Sequence, residues 1–219
     1  MSDLVPRDLQ RAAWDDGVYR RRTLDGTHGH EAVAQLCRSL EIQSLTDVGA
    51  GRARLGEALN KIHGLHIDYR PVDVAFPEYG HATPADLVTC IEVLEHIEPD
   101  SINQMLTFLG DLVTRYGYFT IATAPHGRKL ADGRDAHLIQ EPVSWWLPRL
   151  SQMFNVMYLH PTRSGFAVLV VPRTRDVPRK YLSLLHVMHA KTALWQTMRG
   201  MCRLVAAGLK IKLHRLNKQ

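Results

Sequence analysis

The chain has 219 residues, of which 45% are hydrophobic and 22% are charged, which is ordinary for a soluble globular protein. This length suits one α/β domain with a substantial core and an appendage of about 40 residues. No apolar run approaches the ~20 residues of a membrane span, and the first ten residues lack the apolar centre of an export signal. The three cysteines show no paired spacing, as is usual in a reducing compartment. We therefore expect a cytoplasmic protein that neither crosses a membrane nor is exported.

The net charge of +5 is distributed unevenly along the chain. Residues 173–219 carry 11 Lys or Arg and one acid, Asp176, for a net charge of +10, whereas residues 1–172 carry −5. Apolar residues in this tail recur at spacings of three and four, which predicts a basic amphipathic helix or helix pair. For residues 178–216 we expect either peripheral docking on the inner membrane surface or binding to a protein partner or to the domain itself. Nucleic acid is the least favoured partner, because the tail is rich in Leu, Met and Trp.

The predicted elements alternate between strand and helix. Residues 1–40 form a helical lead-in, residues 41–172 one α/β domain, and residues 173–219 the tail. Strands are predicted at 44–48, 66–74, 85–93 and 118–124, and helices at 31–40, 52–62, 99–116 and 141–154. Two last strands, 155–160 and 165–171, are joined by four residues, too few for a parallel crossover, so they form an antiparallel hairpin. The pattern predicts a mostly parallel sheet that ends in this hairpin.

The first predicted strand ends in a glycine-bearing turn that opens a helix, Asp47-Val48-Gly49-Ala50-Gly51. Such a turn lets the backbone approach a bound cofactor closely. A second acid, Asp73, ends the next strand, 22 residues after Gly51. A Gly-x-Gly turn alone is a weak signal, because the same turn serves several nucleotides and ordinary tight packing.

With these residues the chain resembles the class I S-adenosylmethionine-dependent methyltransferases. The family's acid-x-Gly-x-Gly turn is matched by Asp47, Gly49 and Gly51, with Ala53 in place of the usual third glycine. The resemblance implies a Rossmann-like sheet over residues 40–172, S-adenosylmethionine as the cofactor, and Asp73 as the acceptor for its ribose hydroxyls. The family's strand-four motif and the residues after it are matched by Asp86-Leu87-Val88 and by Ile91-Glu92-Val93-Leu94-Glu95-His96-Ile97.

One departure from the family concerns the edge of the sheet. Only 12 residues separate Asp73 from Asp86, where the family fits a helix and a further strand. We therefore expect a sheet trimmed at its strand-three edge, with Val74 or one of the next two residues beside the adenine. Asp68 is a rival of Asp73 for the ribose.

Glu92 lies at the end of the third predicted strand, on the side where the cofactor's methyl group is expected, and it is counted among the cofactor residues. The run Glu92-Val93-Leu94-Glu95-His96 also resembles the metal site of small-RNA 2′-O-methyltransferases, and a similar run occurs in ubiquinone-pathway O-methyltransferases. This resemblance implies that Glu92, Glu95 and His96 hold a divalent ion, Mg²⁺ or Mn²⁺. The alternative is that Glu95 and His96 only cap and orient the loop.

Residues 125–140 form a long polar loop that should line the ligand crevice. His137 is the first candidate for the general base or for a further metal ligand, and His126 is the second. Arg134 binds an anionic group of the substrate or faces solvent. Trp145 and Trp146 are adjacent on a predicted helix, so only one of them can pack inward.

The expected function is transfer of a methyl group from S-adenosylmethionine to a hydroxyl of a glycan or a lipid-linked small molecule. The alternatives are an RNA 2′-hydroxyl as acceptor, or a cofactor-binding scaffold protein that transfers no methyl group.

Overall fold

The computed structural model describes residues 12, 13, 15 and 29–174. The chain divides into two units, residues 1–177 and 178–219, and the described residues belong to the first. Most of the predicted N-terminal lead-in and all but the first two residues of the predicted basic tail lie outside the described residues. In the described part of the chain no helix is long and apolar enough to cross a membrane.

Residues 29–174 form four α-helices and six strands. The helices are α1 Gly29–Ser39, α2 Arg54–Lys61, α3 Ile102–Leu112 and α4 Val143–Met153. The strands are β1 Ser44–Val48, β2 Asp68–Val72, β3 Ala85–Ile91, β4 Val113–Ala122, β5 Phe154–Pro161 and β6 Gly165–Pro172. Three short 3₁₀ turns lie at Pro77–Tyr79, Leu94–His96 and Pro99–Ser101.

The six strands form one sheet in the order β2-β1-β3-β4-β6-β5. Strands β1 to β4 are parallel, and β6 runs antiparallel to both β4 and β5, which confirms the predicted closing hairpin. From β1 the chain moves outward to β2 and then returns to the other side of β1 as β3. This reversal of strand order puts a ligand crevice beyond the carboxyl ends of β1 and β3, where doubly wound sheets bind their ligands.

The predicted trimming of the sheet is confirmed. Strand β2 is an edge strand, and between its end at Val72 and the start of β3 at Ala85 the chain forms only the 3₁₀ turn Pro77–Tyr79. Pro71 within β2 lacks an N–H for a further neighbour, so it helps to keep this edge from pairing.

The helix predicted at 99–116 is too long. It ends at Leu112, and β4 begins at Val113 instead of residue 118. Thr114 donates its hydroxyl to the Ala85 carbonyl (2.7 Å), and Tyr116 is paired with Leu87 of β3. Pairing with β3 decides the conformation here, since β-branched and aromatic residues fit a buried strand better than the last turn of a helix.

The main core lies between the sheet and the helices α3 and α4. Trp146 is fully buried in it together with Met105 and Leu109 of α3. Trp145 is only partly buried, and the Arg149 guanidinium lies 3.5 Å from its ring centroid. The prediction that one of the two tryptophans packs inward is confirmed.

Candidate functional site

The cofactor turn, residues 49–53, leaves the carboxyl end of β1. The N–H groups of Gly49 and Ala50 both donate to the carbonyl of Val72 at the end of β2, over 2.8 and 3.1 Å. The backbone is left-handed at Gly49 (φ 77°), Gly51 (φ 52°) and Ala53 (φ 55°). Ala53 therefore adopts a left-handed conformation that glycine, the usual residue at that position, would adopt without strain. The strain costs about 1 kcal/mol of stability.

Gly49 is also required by close packing against the segment that follows β3. A Cβ atom at this position would lie 2.3 Å from Cγ2 of Val93, a distance that only movement of one group could relieve. Val93 stands between Glu92 and Glu95, so the Glu-x-x-Glu-His segment packs directly on the cofactor turn.

The Asp73 carboxylate joins the turn to the end of β2. Its Oδ2 accepts the N–H of Gly51 and its Oδ1 accepts the N–H of Ala75, both over 2.8 Å. Burial raises the pKa of Asp73, and these two N–H groups partly counteract the effect. The side chain is only partly buried, and each oxygen keeps a second lone pair for a further donor such as a ribose hydroxyl. Val74, the next residue, is partly buried beside the main core.

The predicted rival of Asp73 for the ribose lies away from the crevice. Asp68 is the first residue of β2, at the opposite end of the strand from the crevice, and it is paired with Arg70.

Asp47 is buried inside the sheet. Its two oxygens accept the hydroxyls of Tyr69 on β2 (2.6 Å) and Thr89 on β3 (2.7 Å), so the side chain ties three strands together. Burial raises its pKa to about 6 despite these hydrogen bonds. A direct contact between Asp47 and a cofactor stays a prediction.

On the other side of Val93 the structure brings together Glu95, His96 and His137. One possible ligand atom from each of these side chains lies within 4.8 Å of the other two. Glu95 is fully buried, and its Oε1 accepts the N–H of Ala122 at the end of β4 (3.0 Å). Its Oε2 has no hydrogen-bond partner among the described residues. Burial, with the nearby Glu92, raises the pKa of Glu95 well above its usual range.

Both histidines of this group are held in one tautomer. Nδ1 of His96 lies 2.6 Å from the Ala136 carbonyl, and Nδ1 of His137 lies 2.6 Å from the Ala124 carbonyl. Since a carbonyl can only accept, each Nδ1 carries a hydrogen, and the neutral form of each ring therefore has its lone pair on Nε2. Burial lowers the pKa of His96 to about 3, so that ring is neutral at pH 7.

Glu92 lies outside this group of three. Its backbone is left-handed (φ 54°), and its Oε1 accepts the Thr120 hydroxyl over 3.2 Å. Burial raises the pKa of Glu92, whereas Thr120 and His137 lower it. A left-handed non-glycine residue beside a crevice is the kind of strain that clusters at functional sites. The structure thus groups His137, instead of Glu92, with Glu95 and His96; the roles predicted for Glu92 stay predictions.

His126 lies beside the same group. Its ring centroid is 4.9 Å from that of His137 and 5.9 Å from that of His96. Burial lowers its pKa, and the neighbouring His137 acts in the same direction. The two histidines predicted from the polar loop are therefore neighbours, but His126 does not belong to the set of three ligand atoms.

Arg134 serves the loop instead of reaching into the crevice. Its guanidinium makes two 2.8 Å hydrogen bonds to the Glu98 carboxylate and a third, also 2.8 Å, to Asp132. Arg134 is exposed, in agreement with one of the two predicted alternatives, but its pairing with Glu98, 36 residues away in the sequence, was not predicted.

Sequence reasoning also missed Asp135. Its carboxylate accepts the N–H groups of His126, Gly127 and His137 over 2.8 to 3.1 Å. Burial raises its pKa, but these three donors outweigh the effect and hold the pKa below its usual value. The available signal was an aspartate two residues before a histidine in a polar loop, a pattern in which Asp often binds nearby backbone N–H groups.

No protein-family model and no curated protein matches this sequence. Among solved structures, a Burkholderia thailandensis 1,6-didemethyltoxoflavin-N1-methyltransferase, with bound 1,6-didemethyltoxoflavin and S-adenosylhomocysteine, matches 75% of this chain and 88% of its own, with a TM-score of 0.52 and 15% identity. A DhpI–SAH complex matches 80% of this chain and 100% of its own, with a TM-score of 0.50 and 16% identity. The chain has the class I methyltransferase fold.

In this methyltransferase fold the described site has two sides. The cofactor turn and Asp73 follow β1 and β2, and the group Glu95, His96 and His137 follows β3 and β4. The two sides are linked through Val93, which packs against Gly49 of the turn and lies two residues before Glu95 in the sequence.

Proposed function

We propose that this protein is an S-adenosylmethionine-dependent methyltransferase that methylates a hydroxyl oxygen, with the hydroxyl held beside Glu95, His96 and His137. The observation that carries this proposal is the convergence of Glu95, His96 and His137, whose possible ligand atoms lie within 4.8 Å of one another.

The residues around the turn fit the cofactor. The left-handed backbone at Gly49 and Gly51 gives the close approach that a nucleoside needs, and Asp73 offers partly exposed carboxylate oxygens at the end of β2. S-adenosylhomocysteine, which the Burkholderia enzyme binds, is the product that S-adenosylmethionine leaves after methyl transfer. Because the sulfonium supplies the leaving group, the protein's main contribution is to align the acceptor.

The acceptor side fits a divalent ion. Glu95 Oε2 is a buried oxygen without a partner among residues 29–174, and His96 and His137 both donate Nδ1–H to carbonyls, as metal-binding histidines usually do. One carboxylate with two imidazoles favours Mn²⁺ or Zn²⁺ over Mg²⁺. Such an ion would supply acidification of a bound hydroxyl. In its absence, His137 can accept the hydroxyl proton on Nε2 as a general base.

For the acceptor we propose a sugar or polyol hydroxyl of a glycan or a lipid-linked molecule. Residues 1–172 carry a net charge of −5, and the Arg134 guanidinium is already occupied by Glu98 and Asp132. These features favour an uncharged acceptor over a phosphate-rich one. An RNA 2′-hydroxyl is the alternative, since it too presents a hydroxyl to the same group.

The proposal is tested by titrating the full-length protein with S-adenosylmethionine and S-adenosylhomocysteine in a calorimeter, with and without Mn²⁺. We expect micromolar cofactor binding that Asp73→Ala weakens at least tenfold, and Mn²⁺ binding that Glu95→Gln removes. Transfer of labelled methyl groups to glycan extracts, lipid extracts or short RNAs then identifies the acceptor. Absence of cofactor binding would refute methyl transfer, and labelling of RNA alone would replace the proposed acceptor.

A further inference from the structure

We infer that Asp135 is a positioning residue, whose carboxylate sets the orientation of both His96 and His137 without touching the substrate or the cofactor. This inference rests on the proposed function of the histidine group. It adds a residue to which neither the sequence motifs nor the comparisons assign a role.

The Asp135 carboxylate closes the histidine loop, residues 124–137. Oδ1 accepts two N–H groups, those of His126 (2.9 Å) and His137 (2.8 Å), and Oδ2 accepts that of Gly127 (3.1 Å). The residues between them fold back as a small hairpin in which Ala136 N donates to Arg128 O over 2.9 Å. A single side chain therefore fixes the distance between the first segment of the loop, which contains His126 and Gly127, and its last segment, which contains His137.

The orientation of both imidazoles depends on those two segments. The ring of His137 is bound by the carbonyl of Ala124 in the first segment, while its backbone N–H is bound by Asp135 in the last segment. The ring of His96 is held by the carbonyl of Ala136, the residue directly after Asp135. If the carboxylate were lost, the two carbonyls could move relative to each other and the two rings would no longer keep their orientation.

Asp132 provides a matched control in the same loop. Its carboxylate accepts the backbone N–H and the side-chain Nε of Arg134 (3.0 and 2.8 Å), and within residues 29–174 no hydrogen bond joins it to a histidine. A residue that merely stabilises the loop would behave like Asp132, whereas a positioning residue would alter the histidines specifically.

The experiment compares Asp135→Ala, Asp135→Asn and Asp132→Ala with the unaltered full-length protein. The first measurement is ¹⁵N NMR of the imidazoles, which reports whether Nδ1 or Nε2 carries the hydrogen. The second is Mn²⁺ affinity, followed by electron paramagnetic resonance. Binding of S-adenosylhomocysteine serves as the check that each variant is folded.

We expect the Nδ1–H tautomer at His96 and His137 in the unaltered protein, and a mixture of tautomers in Asp135→Ala together with a 10- to 100-fold loss of Mn²⁺ affinity, roughly the range for residues that orient metal ligands. Asp135→Asn keeps an oxygen for His126 and His137, so it should retain the tautomers and lose about threefold in affinity or less. Asp132→Ala should resemble the unaltered protein.

Unchanged tautomers in a folded Asp135→Ala protein would overturn the inference. If Asp135→Ala fails to bind S-adenosylhomocysteine, the Asp135→Asn variant decides. Complete loss of the Nδ1–H tautomer in Asp135→Asn would overturn the inference, and retention of that tautomer would support it. If the unaltered protein binds no Mn²⁺, the metal site of the proposed function fails, but the tautomers still test Asp135 independently.

Discussion

The cofactor turn and the histidine loop both follow the carboxyl ends of parallel strands, but they are stabilised in opposite ways. The turn has five residues, and its N–H groups are bound by the Val72 carbonyl and by Asp73, both at the end of the neighbouring strand. The loop has fourteen residues, and its form depends on side chains: Asp135 binds three N–H groups within the loop, and Arg134 binds Glu98 outside it.

This difference indicates how each side responds to change. The turn follows from the register of β1 and β2, so a substitution there should cost stability of the whole fold. The form of the loop depends on the polar contacts of Asp135 and Arg134 as well as on the buried Leu130 and Ala136. Substitution of a polar residue there should therefore alter the histidine group while the sheet stays intact.

The largest expected effect is a loss of ion binding on the histidine side that leaves cofactor binding on the other side unchanged. Glu95→Gln should abolish the rise in melting temperature that Mn²⁺ causes, with at least a 100-fold loss in ion affinity, because an amide oxygen is a much poorer ligand for this ion than a carboxylate. Cofactor affinity should change less than threefold, since Glu95 lies beyond Val93. Glu98→Gln, which weakens only the Arg134 pair, is the control. Retained Mn²⁺ stabilisation in the Glu95→Gln variant would show that Glu95 is not a ligand.

On the cofactor side, Gly49→Ala should lower the free energy of unfolding by about 4 kcal/mol. About 1 kcal/mol comes from the left-handed backbone and the rest from the overlap with Val93. Gly64→Ala is the matched control, because Gly64 is also left-handed (φ 62°) but has nothing within 4 Å of its Cβ position. Urea unfolding of both variants measures the difference, and adding Val93→Ala to the first should recover part of the loss. Equal costs at the two glycines would contradict the packing account.

The pH dependence of stability tests the buried Asp47, two residues before the turn. Its pKa is raised from 3.8 to about 6, so the folded protein binds this proton more tightly than the unfolded chain. The resulting stability is present in full below about pH 3.8 and is lost as pH rises through about 6. Asp47→Asn lacks this loss, so from pH 4 to pH 8 its stability relative to the unaltered protein should improve by up to about 3 kcal/mol. Thermal unfolding across this range measures the trend; a pH-independent difference would show that the carboxyl does not titrate there.

The smallest expected effect is on the loop. Arg134→Lys removes the two-pronged contact with Glu98 but keeps the charge, and such exposed pairs contribute about 0.5 kcal/mol. Global stability should hardly change. Amide hydrogen exchange should become faster only in residues 126–137, as local opening of the loop becomes easier. Faster exchange in β1 or β2 would mean that the loop and the turn are not independent.

The sequence predicted the cofactor side well because its determinants are local. The apolar run, the turn glycines and the acid ending the next strand occur within 30 residues, and β1 was predicted at its observed bounds, Ser44–Val48. The start of β4 was wrong by five residues, because the residues from Val113 onward look helical until they are paired with β3.

The histidine side was predicted only as a set of candidates. The sequence indicated Glu92, Glu95, His96, His126 and His137, but their arrangement depends on contacts between distant segments. His96 meets its carbonyl partner 40 residues away, and Arg134 meets Glu98 36 residues away. No local pattern specifies which two imidazoles share a buried carboxylate.

By itself, the sequence determined a parallel α/β sheet with a closing hairpin, a trimmed edge and a turn suited to a nucleoside cofactor. These features follow from hydrophobic periodicity, chain length between motifs and the conformational freedom of glycine, all of which act over short distances. Only the tertiary structure decided that Asp47 is hydrogen-bonded to both neighbouring strands, that Asp135 binds three N–H groups of the histidine loop, and that Glu95, His96 and His137 converge. Those facts depend on burial and on hydrogen bonds between segments that become neighbours only when the sheet forms.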